Sequence, residues 1–161
     1  MIFAYADPPY FGMGKRLYGY PEWDEKERHH LLLRSLVVGY PDGWALSCNP
    51  RDLGWLLPEC PEDVRVAAWC KTMHQIRPTG IQYAWEPVIW RGGHAEKGRN
   101  PMVRDWMAST ARQHTPLIGA KPEVFCQWVL AFLGYQDGDE IHDFFPGTGI
   151  MERVAAQGTL L

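Results

Sequence analysis

The stretch Tyr5-Ala6-Asp7-Pro8-Pro9-Tyr10 decides how the rest of the chain is read. It follows a short apolar run, Met1-Ile2-Phe3-Ala4, that has the character of a buried strand, so Asp7 falls where a strand gives way to a loop. In open α/β sheets ligands sit in the crevice outside the carboxyl ends of the strands, and an aspartate in this position projects into it. Two consecutive prolines fix φ and carry no backbone N–H. What remains is a stiff turn offering carbonyl acceptors beside a carboxylate, with the Tyr10 ring next to it. Acceptors plus a stacking ring suit a flat hydrogen-bond donor, such as the exocyclic amino group of a nucleobase. Asp-Pro-Pro is also an ordinary way to end a strand.

Downstream, Phe11-Gly12-Met13-Gly14-Lys15-Arg16 reads as a mobile glycine-rich loop carrying two cations. A helix is expected from Pro21-Glu22, with Glu22, Asp24, Glu25 and Glu27 in its first turns, where the helix dipole favours acids. Leu32, Leu33, Leu36 and Val37 supply its inner face. His29 and His30 are adjacent on that helix and do not converge on one ion, so exposed or capping roles are expected for them. After a turn at Tyr40-Pro41-Asp42-Gly43, Trp44 to Cys48 is a second strand, and Asn49-Pro50 caps and opens a short helix that ends before Pro58. Val64 to Lys71 alternates as a third strand. Trp85 to Trp90 is a fourth, with Pro87 implying an edge position or a bulge. Strand, helix, strand, helix, strand, strand is the order of a wound α/β sheet whose far edge finishes in a hairpin.

The segment from Arg91 to Arg104 stands apart. It sets Arg91, Lys97, Arg99 and Arg104 against one acid, Glu96, and includes Gly92, Gly93 and Gly98. Two readings stay open: a solvated surface loop, or a loop that contacts phosphates.

Lys121-Pro122 then opens a helix that runs through Leu133, with proline at its first helical position and Gly134 at its end. Glu140 to Phe145 is a fifth strand. It leads directly into Pro146-Gly147-Thr148-Gly149 and a last helix from Ile150 to Ala156. Strand, glycine-rich turn, helix is an arrangement that lets backbone pass close to a bound nucleotide or nucleoside. Asp7 and Asp143 each end a strand and each precede an aromatic or proline-bearing turn. If the two strands lie side by side in a parallel sheet, both loops face one crevice.

Composition is consistent with this. The chain has 161 residues, long enough for one domain (1–161) that buries about two-thirds of the surface its unfolded form exposes. Hydrophobic residues make up 46%, with eight Trp and seven Tyr, which excludes a disordered tail. The apolar runs are too short to cross a bilayer, and no secretory pattern opens the chain, so a cytoplasmic location is expected. Cys48, Cys60, Cys70 and Cys126 form no Cys-x-x-Cys pair and have no histidine at zinc spacing; reduced, mostly buried thiols and no metal are expected. A formal charge of −3 argues against a protein that coats nucleic acid, while leaving room for local contact through a basic loop.

Taken together, Asp7-Pro8-Pro9-Tyr10, Lys121-Pro122 and Asp143-Phe144-Phe145-Pro146-Gly147-Thr148-Gly149 resemble the catalytic and cofactor motifs of S-adenosylmethionine-dependent amino-methyltransferases. Their order resembles the circularly permuted one, catalytic motif first, of one class of DNA adenine methyltransferases and of messenger-RNA adenine methylases. Tyrosine closing the first motif looks more like the DNA enzymes. Tyr83-Ala84-Trp85-Glu86-Pro87-Val88 and Val103-Arg104-Asp105-Trp106 are similar to short, phage-encoded members, for which the location would be the host cytoplasm.

The resemblance implies a Rossmann-like methyltransferase fold, α/β, with a mostly parallel sheet of about five strands and flanking helices. It implies methyl transfer from S-adenosylmethionine to the exocyclic amine of a nucleobase in DNA, adenine before cytosine. Asp7, Pro8, Pro9 and Tyr10 would be catalytic. Asp7 and the Pro8 carbonyl would accept the two N–H bonds of the amine, and Tyr10 would stack on the base. Ala6, Asp7, Lys121, Pro122, Asp143, Phe144, Phe145, Pro146, Gly147, Thr148 and Gly149 would hold the cofactor. Lys15, Arg16, Arg91, Lys97, Arg99 and Arg104 would meet DNA. The alternatives are a pseudo-methyltransferase that binds nucleic acid or a partner subunit, and an enzyme acting on RNA or a small molecule.

The chain departs from that pattern after the glycine turn. The family continues with two more strands, the first ending in an acid that binds the cofactor ribose, whereas only Thr159-Leu160-Leu161 follow Gly158 here. A reduced sheet is therefore expected, with its first strand left as an edge. From this follow three expectations: a homodimer through that edge, a partner subunit, or lost catalysis.

Overall fold

The computed structural model describes residues 1–72, 80–93, 102–110 and 119–158. Six strands, β1 (Ile2–Ala6), β2 (Gly43–Ser47), β3 (Arg65–Lys71), β4 (Trp85–Gly92), β5 (Trp106–Ser109) and β6 (Glu140–Asp143), form one sheet in the order β5-β3-β4-β2-β1-β6. β1 is parallel to both β2 and β6, and β5 is parallel to β3, while β4 runs antiparallel to its two neighbours. The helices are α1 (Lys26–Gly39), α2 (Leu53–Leu56), α3 (Glu123–Leu133) and α4 (Ile150–Ala156). None of the described helices is long and apolar enough to cross a membrane.

The period of two along β1 assigns its side chains to two cores. Phe3 and Tyr5 join Ala45, Ala67, Trp69 and Val88 beneath Phe125, Val129, Leu130 and Leu133 of α3 and Met151 and Val154 of α4. Ala4 and Ala6 point the other way, with Trp44, Leu46 and Ile89, toward Leu32, Leu33 and Leu36 of α1 and Leu56 of α2. All five residues of β2 are buried, as a strand covered on both faces requires. α3 ends at Gly134, whose left-handed φ of 73° lets its N–H reach the Ala131 carbonyl. Gly93, at φ 91°, allows the end of β4 to press on that same helix terminus; a Cβ there would run into the Leu133 carbonyl oxygen.

Several expectations need correction. The sheet has six strands rather than about five, because Trp106–Ser109 adds to the outer side of β3 and takes the edge expected for the hairpin. β4 is internal, so Pro87 is neither at an edge nor marking one. It pairs with Ala68 of β3, and its carbonyl accepts from Cys48 N, just past the last β2 pair, Ser47 with Val88. The proline thus stands where the β2 ladder ends and a missing N–H costs least. β1 is internal, paired on both sides, and β6 lies at the edge beyond it.

Around residue 21 a 3₁₀ turn, Pro21–Asp24, precedes the helix, and Glu25 is extended before α1 begins. The Asp24 carboxylate accepts from the backbone N–H groups of Gly14 and Lys15, which ties the glycine-rich segment into a π-helical turn over Gly14–Tyr18 instead of a free loop. His29 is buried rather than exposed or capping. Its Nε2 lies 3.0 Å from the Trp23 carbonyl and its ring meets Trp23, Trp55 and Phe11 edge-on. Pro122 stands at the N-cap of α3, one residue before the first helical position.

Phe125 is wholly buried between Tyr5, Trp69 and Trp128. Phe125→Ala is expected to lower unfolding free energy by about 3–5 kcal/mol in urea titration. Val38→Ala, at a site 82% exposed on α1, should change it by less than about 0.5 kcal/mol.

Candidate active site

Asp7 is the first residue after β1, and Asp143 is the last of β6. Because Tyr5 pairs with Asp143 in a parallel ladder, the two loops leave the sheet side by side. Both open on one cavity of about 730 Å³. Asp7, Pro9 and Lys121 line one part, and Asp143, Phe144, Phe145, Pro146, Gly147 and Thr148 another. Tyr18, Tyr20, Trp23 and the α1 residues Leu31 and Leu32 form the facing wall. Ala6, Pro8, Tyr10, Pro122 and Gly149 do not line it. Ala6 has no exposed surface, Pro122 begins α3, and Gly149, at φ 68°, turns the chain into α4.

Beside this cavity lies a compact charged cluster. Lys121 Nζ donates to Asp7 Oδ1 at 2.8 Å and lies 3.3 Å from both Glu86 Oε2 and Tyr10 Oη. Tyr10 Oη donates to Glu86 Oε2 at 2.9 Å, and its longer contact with Asp7 Oδ1 is 3.4 Å. Lys71 Nζ binds the other Glu86 oxygen, Oε1. The Lys121 ammonium also lies within 6 Å of the ring centroids of Tyr10, Trp69 and Phe125, which compensate its burial. Two carboxylates and two ammonium groups balance to zero.

The protonation states follow from this arrangement. Burial pushes the Asp7 carboxyl above its usual range; Lys121 pulls it back, and Glu86 adds to the rise. For Glu86 burial opposes ionisation, but Lys121 and Lys71 together outweigh it and hold the carboxyl at about 2. Burial likewise works against the charge on Lys121, and Asp7 and Glu86 more than restore it, so the ammonium is held above its ordinary value. Burial, with Glu86 and Asp7 nearby, raises the Tyr10 hydroxyl well above its ordinary value. Lys121 and Tyr10 are therefore fixed donors: Lys121 serves Asp7 and Glu86, and the single Tyr10 proton goes to Glu86.

Glu86, quoted only within the stretch Tyr83 to Val88, and Lys71 are given no role in the sequence reading. The register gives the signal that could have found them: Glu86 stands opposite Trp69, and Lys71 lies two residues further along the same face of β3. An acid and a base meeting diagonally inside an apolar hairpin need a reason.

The expected DNA contacts fare differently. Lys15 and Arg16 are exposed on the π-helical turn. Arg91 Nε donates to both oxygens of Asp63 at 2.7 and 2.9 Å. The Arg104 guanidinium lies 5.7 Å from the Trp106 ring centroid. Lys97 and Arg99 lie outside the described residues.

A six-stranded sheet with the single reversed strand β4, flanked by helices and with a crevice at the carboxyl ends of β1 and β6, is an α/β fold found in other proteins. Two solved structures share it. The crystal structure of the M1.HpyAVI–SAM complex superposes with a TM-score of 0.56 at 17% identity, covering 96% of this chain and 77% of that one. A second crystal structure of M1.HpyAVI gives a TM-score of 0.57 at 16% identity, covering 96% and 75%. No protein-family model matches the chain, and no curated protein matches it. At such identities the likeness lies in the path of the backbone.

Asp143 provides a test of the cavity's polarity. Burial lifts its carboxyl to about 6, against the hydrogen bond it accepts from Phe145 N at 3.0 Å. The folded protein thus holds this proton more tightly than the unfolded chain. The stability from this group is complete below its ordinary value of 3.8 and is lost as pH rises through about 6. Asp143→Asn should gain stability relative to the parent between about pH 4 and pH 6.5 in paired urea titrations.

Proposed function

We propose that this protein transfers a methyl group from S-adenosylmethionine to the exocyclic amine of a nucleobase, adenine in DNA. One observation carries the reading: the Asp7 turn and the glycine turn after β6 share a single cavity. Its volume lies within the range of small-molecule sites, and its lining suits an amphipathic cation. Phe144, Phe145, Tyr18 and Tyr20 offer ring faces, and Asp143 and Asp7 offer negative charge. A complex with SAM is known for M1.HpyAVI, which has this fold. The cofactor, when bound, supplies an electrophilic methyl group on a sulfonium.

The chain's own residues handle the amine. An aromatic amine is a weak nucleophile because its lone pair is delocalised into the ring. Asp7 and the Pro8 carbonyl, accepting its two N–H bonds, favour the pyramidal nitrogen on which that pair is localised. Tyr10, anchored through its hydroxyl to Glu86, offers its ring for stacking on a base turned out of the helix. With Tyr10 and Lys121 both kept protonated, neither withdraws a proton from the amine; they hold Asp7 in place instead. Lys15 and Arg16 are the cations best placed for phosphate contact.

Calorimetry with S-adenosylmethionine and labelled methyl transfer onto unmodified DNA and RNA test the reading. Binding, with transfer onto DNA in preference to RNA, is expected. Asp7→Ala should lose at least about 100-fold in transfer while still binding the cofactor. Transfer at the parent's rate by Asp7→Ala would remove the assigned chemistry.

A further inference from the structure

Glu86 makes no part of the cavity wall, yet it touches both groups that contact Asp7, Tyr10 and Lys121, and is itself bound by Lys71. Its two oxygens divide the work. Oε1 is bound by Lys71 from the neighbouring strand, which fixes the carboxylate against β3. Oε2 faces Tyr10 Oη at 2.9 Å and Lys121 Nζ at 3.3 Å. The same two groups gather at a single oxygen of Asp7, Oδ1: Lys121 Nζ donates to it at 2.8 Å, and Tyr10 Oη, whose one proton goes to Glu86, packs beside it at 3.4 Å. The second oxygen of Asp7, Oδ2, makes no hydrogen bond among the described residues, and the Asp7 side chain is 19% exposed where it meets the cavity.

A buried ammonium between two carboxylates has three donors to distribute, and where it rests depends on both acids. Without Glu86, Lys121 would swing fully onto Asp7 and Tyr10 would lose its stronger acceptor, so both carboxylate oxygens of Asp7 would become targets for protein donors. With Glu86 in place, Lys121 and Tyr10 are held to one side. We propose that Glu86, anchored by Lys71, is a positioning residue for the amine acceptor: it fixes Lys121 and Tyr10 so that they occupy Asp7 Oδ1 and leave Oδ2 for the substrate N–H. The role of the freed oxygen rests on the methyl-transfer reading given above; the coupling between Glu86 and Asp7 does not.

Two measurements separate these layers. In protein labelled with ¹³C at aspartate carboxyls, with the Asp7 signal assigned through Asp7→Asn, the titration of Asp7 should move to lower pH in Glu86→Gln, because a neighbouring negative charge has been removed. Looser packing that lets water reach Asp7 would lower it too, so Glu86→Asp, which keeps the charge, is the control and should hold the Asp7 titration near the parent's. Lys71→Met/Glu86→Gln, which removes the pair together and leaves no unpaired ammonium, should show the same downward shift and guards against a single variant that fails to fold. An Asp7 titration unmoved in the folded variants would overturn the proposal, whether or not the parent transfers methyl groups.

Where transfer is observed, Glu86→Gln should lower kcat by about tenfold or more, with cofactor affinity by calorimetry within about twofold of the parent and the acid limb of the rate profile displaced to lower pH. Glu86→Asp, which keeps the charge, should recover part of the rate and restore the parent's acid limb. A kcat for Glu86→Gln equal to the parent's would overturn the positioning role while leaving methyl transfer intact. A parent without transfer activity would count against the methyl-transfer reading alone.

Discussion

A positive charge buried between two negative ones organises this molecule. Taking an ammonium out of water is costly unless it is met on every side, and Lys121 is met by Asp7, Glu86 and the Tyr10 hydroxyl within 3.3 Å. The members come from four pieces of backbone. Asp7 and Tyr10 follow β1, Glu86 lies within β4, and Lys121 precedes α3, while Lys71 at the end of β3 completes the balance. The cluster can close only if the parallel half of the sheet, its antiparallel half and the helix above them are in register. Loss of one member leaves a charge stranded, so the cluster is a demanding check on the fold as well as the chemistry.

The sheet meets that demand by keeping its two faces apart. On one face Phe125 of α3 packs against Tyr5 and Trp69, so the helix that follows Lys121 is set directly over the strands that carry Asp7 and Lys71. On the other, α1 packs its leucines against Ala4, Ala6 and Leu46 and brings Leu31 and Leu32 round to the far wall of the cavity. The small side chains of β1 on that face, Ala4 and Ala6, let α1 sit close. Its large ones, Phe3 and Tyr5, face α3 and α4, the helix that the glycine turn leads into. The cavity is what remains between these two packed layers at the carboxyl ends of the strands.

Much of this was legible in the residues themselves. The apolar run before Asp7, the proline pair after it and the glycine turn after Asp143 placed both loops, because strand ends and turns are local properties of sequence. Pairing between strands is not local. Nothing in the four residues Trp106–Ser109 distinguishes a strand from a loop until β3 offers its outer side, and Pro87 argued for an edge because the end of β2 beside it could not be foreseen. The same holds for His29, whose polarity suggested exposure until Trp23, Trp55 and Phe11 closed around its ring. Glu86 and Lys71 escaped notice for a related reason: each is unremarked in its own strand, and only the hairpin register makes them a pair.

The partnership of β1 with β6 also orders events in time. Ile2 lies opposite Glu140 and Tyr5 opposite Asp143, so β1 obtains its second neighbour from residues synthesised more than 130 positions later. Contacts so far apart in sequence carry a large loop-closure entropy and form late. During translation β1 can pair with β2 as soon as that strand emerges, yet its other side stays bare until residues 140–143 leave the ribosome. Throughout that interval the nascent chain exposes an unpaired, apolar strand flank, the surface on which holding chaperones act and on which two unfinished copies could join.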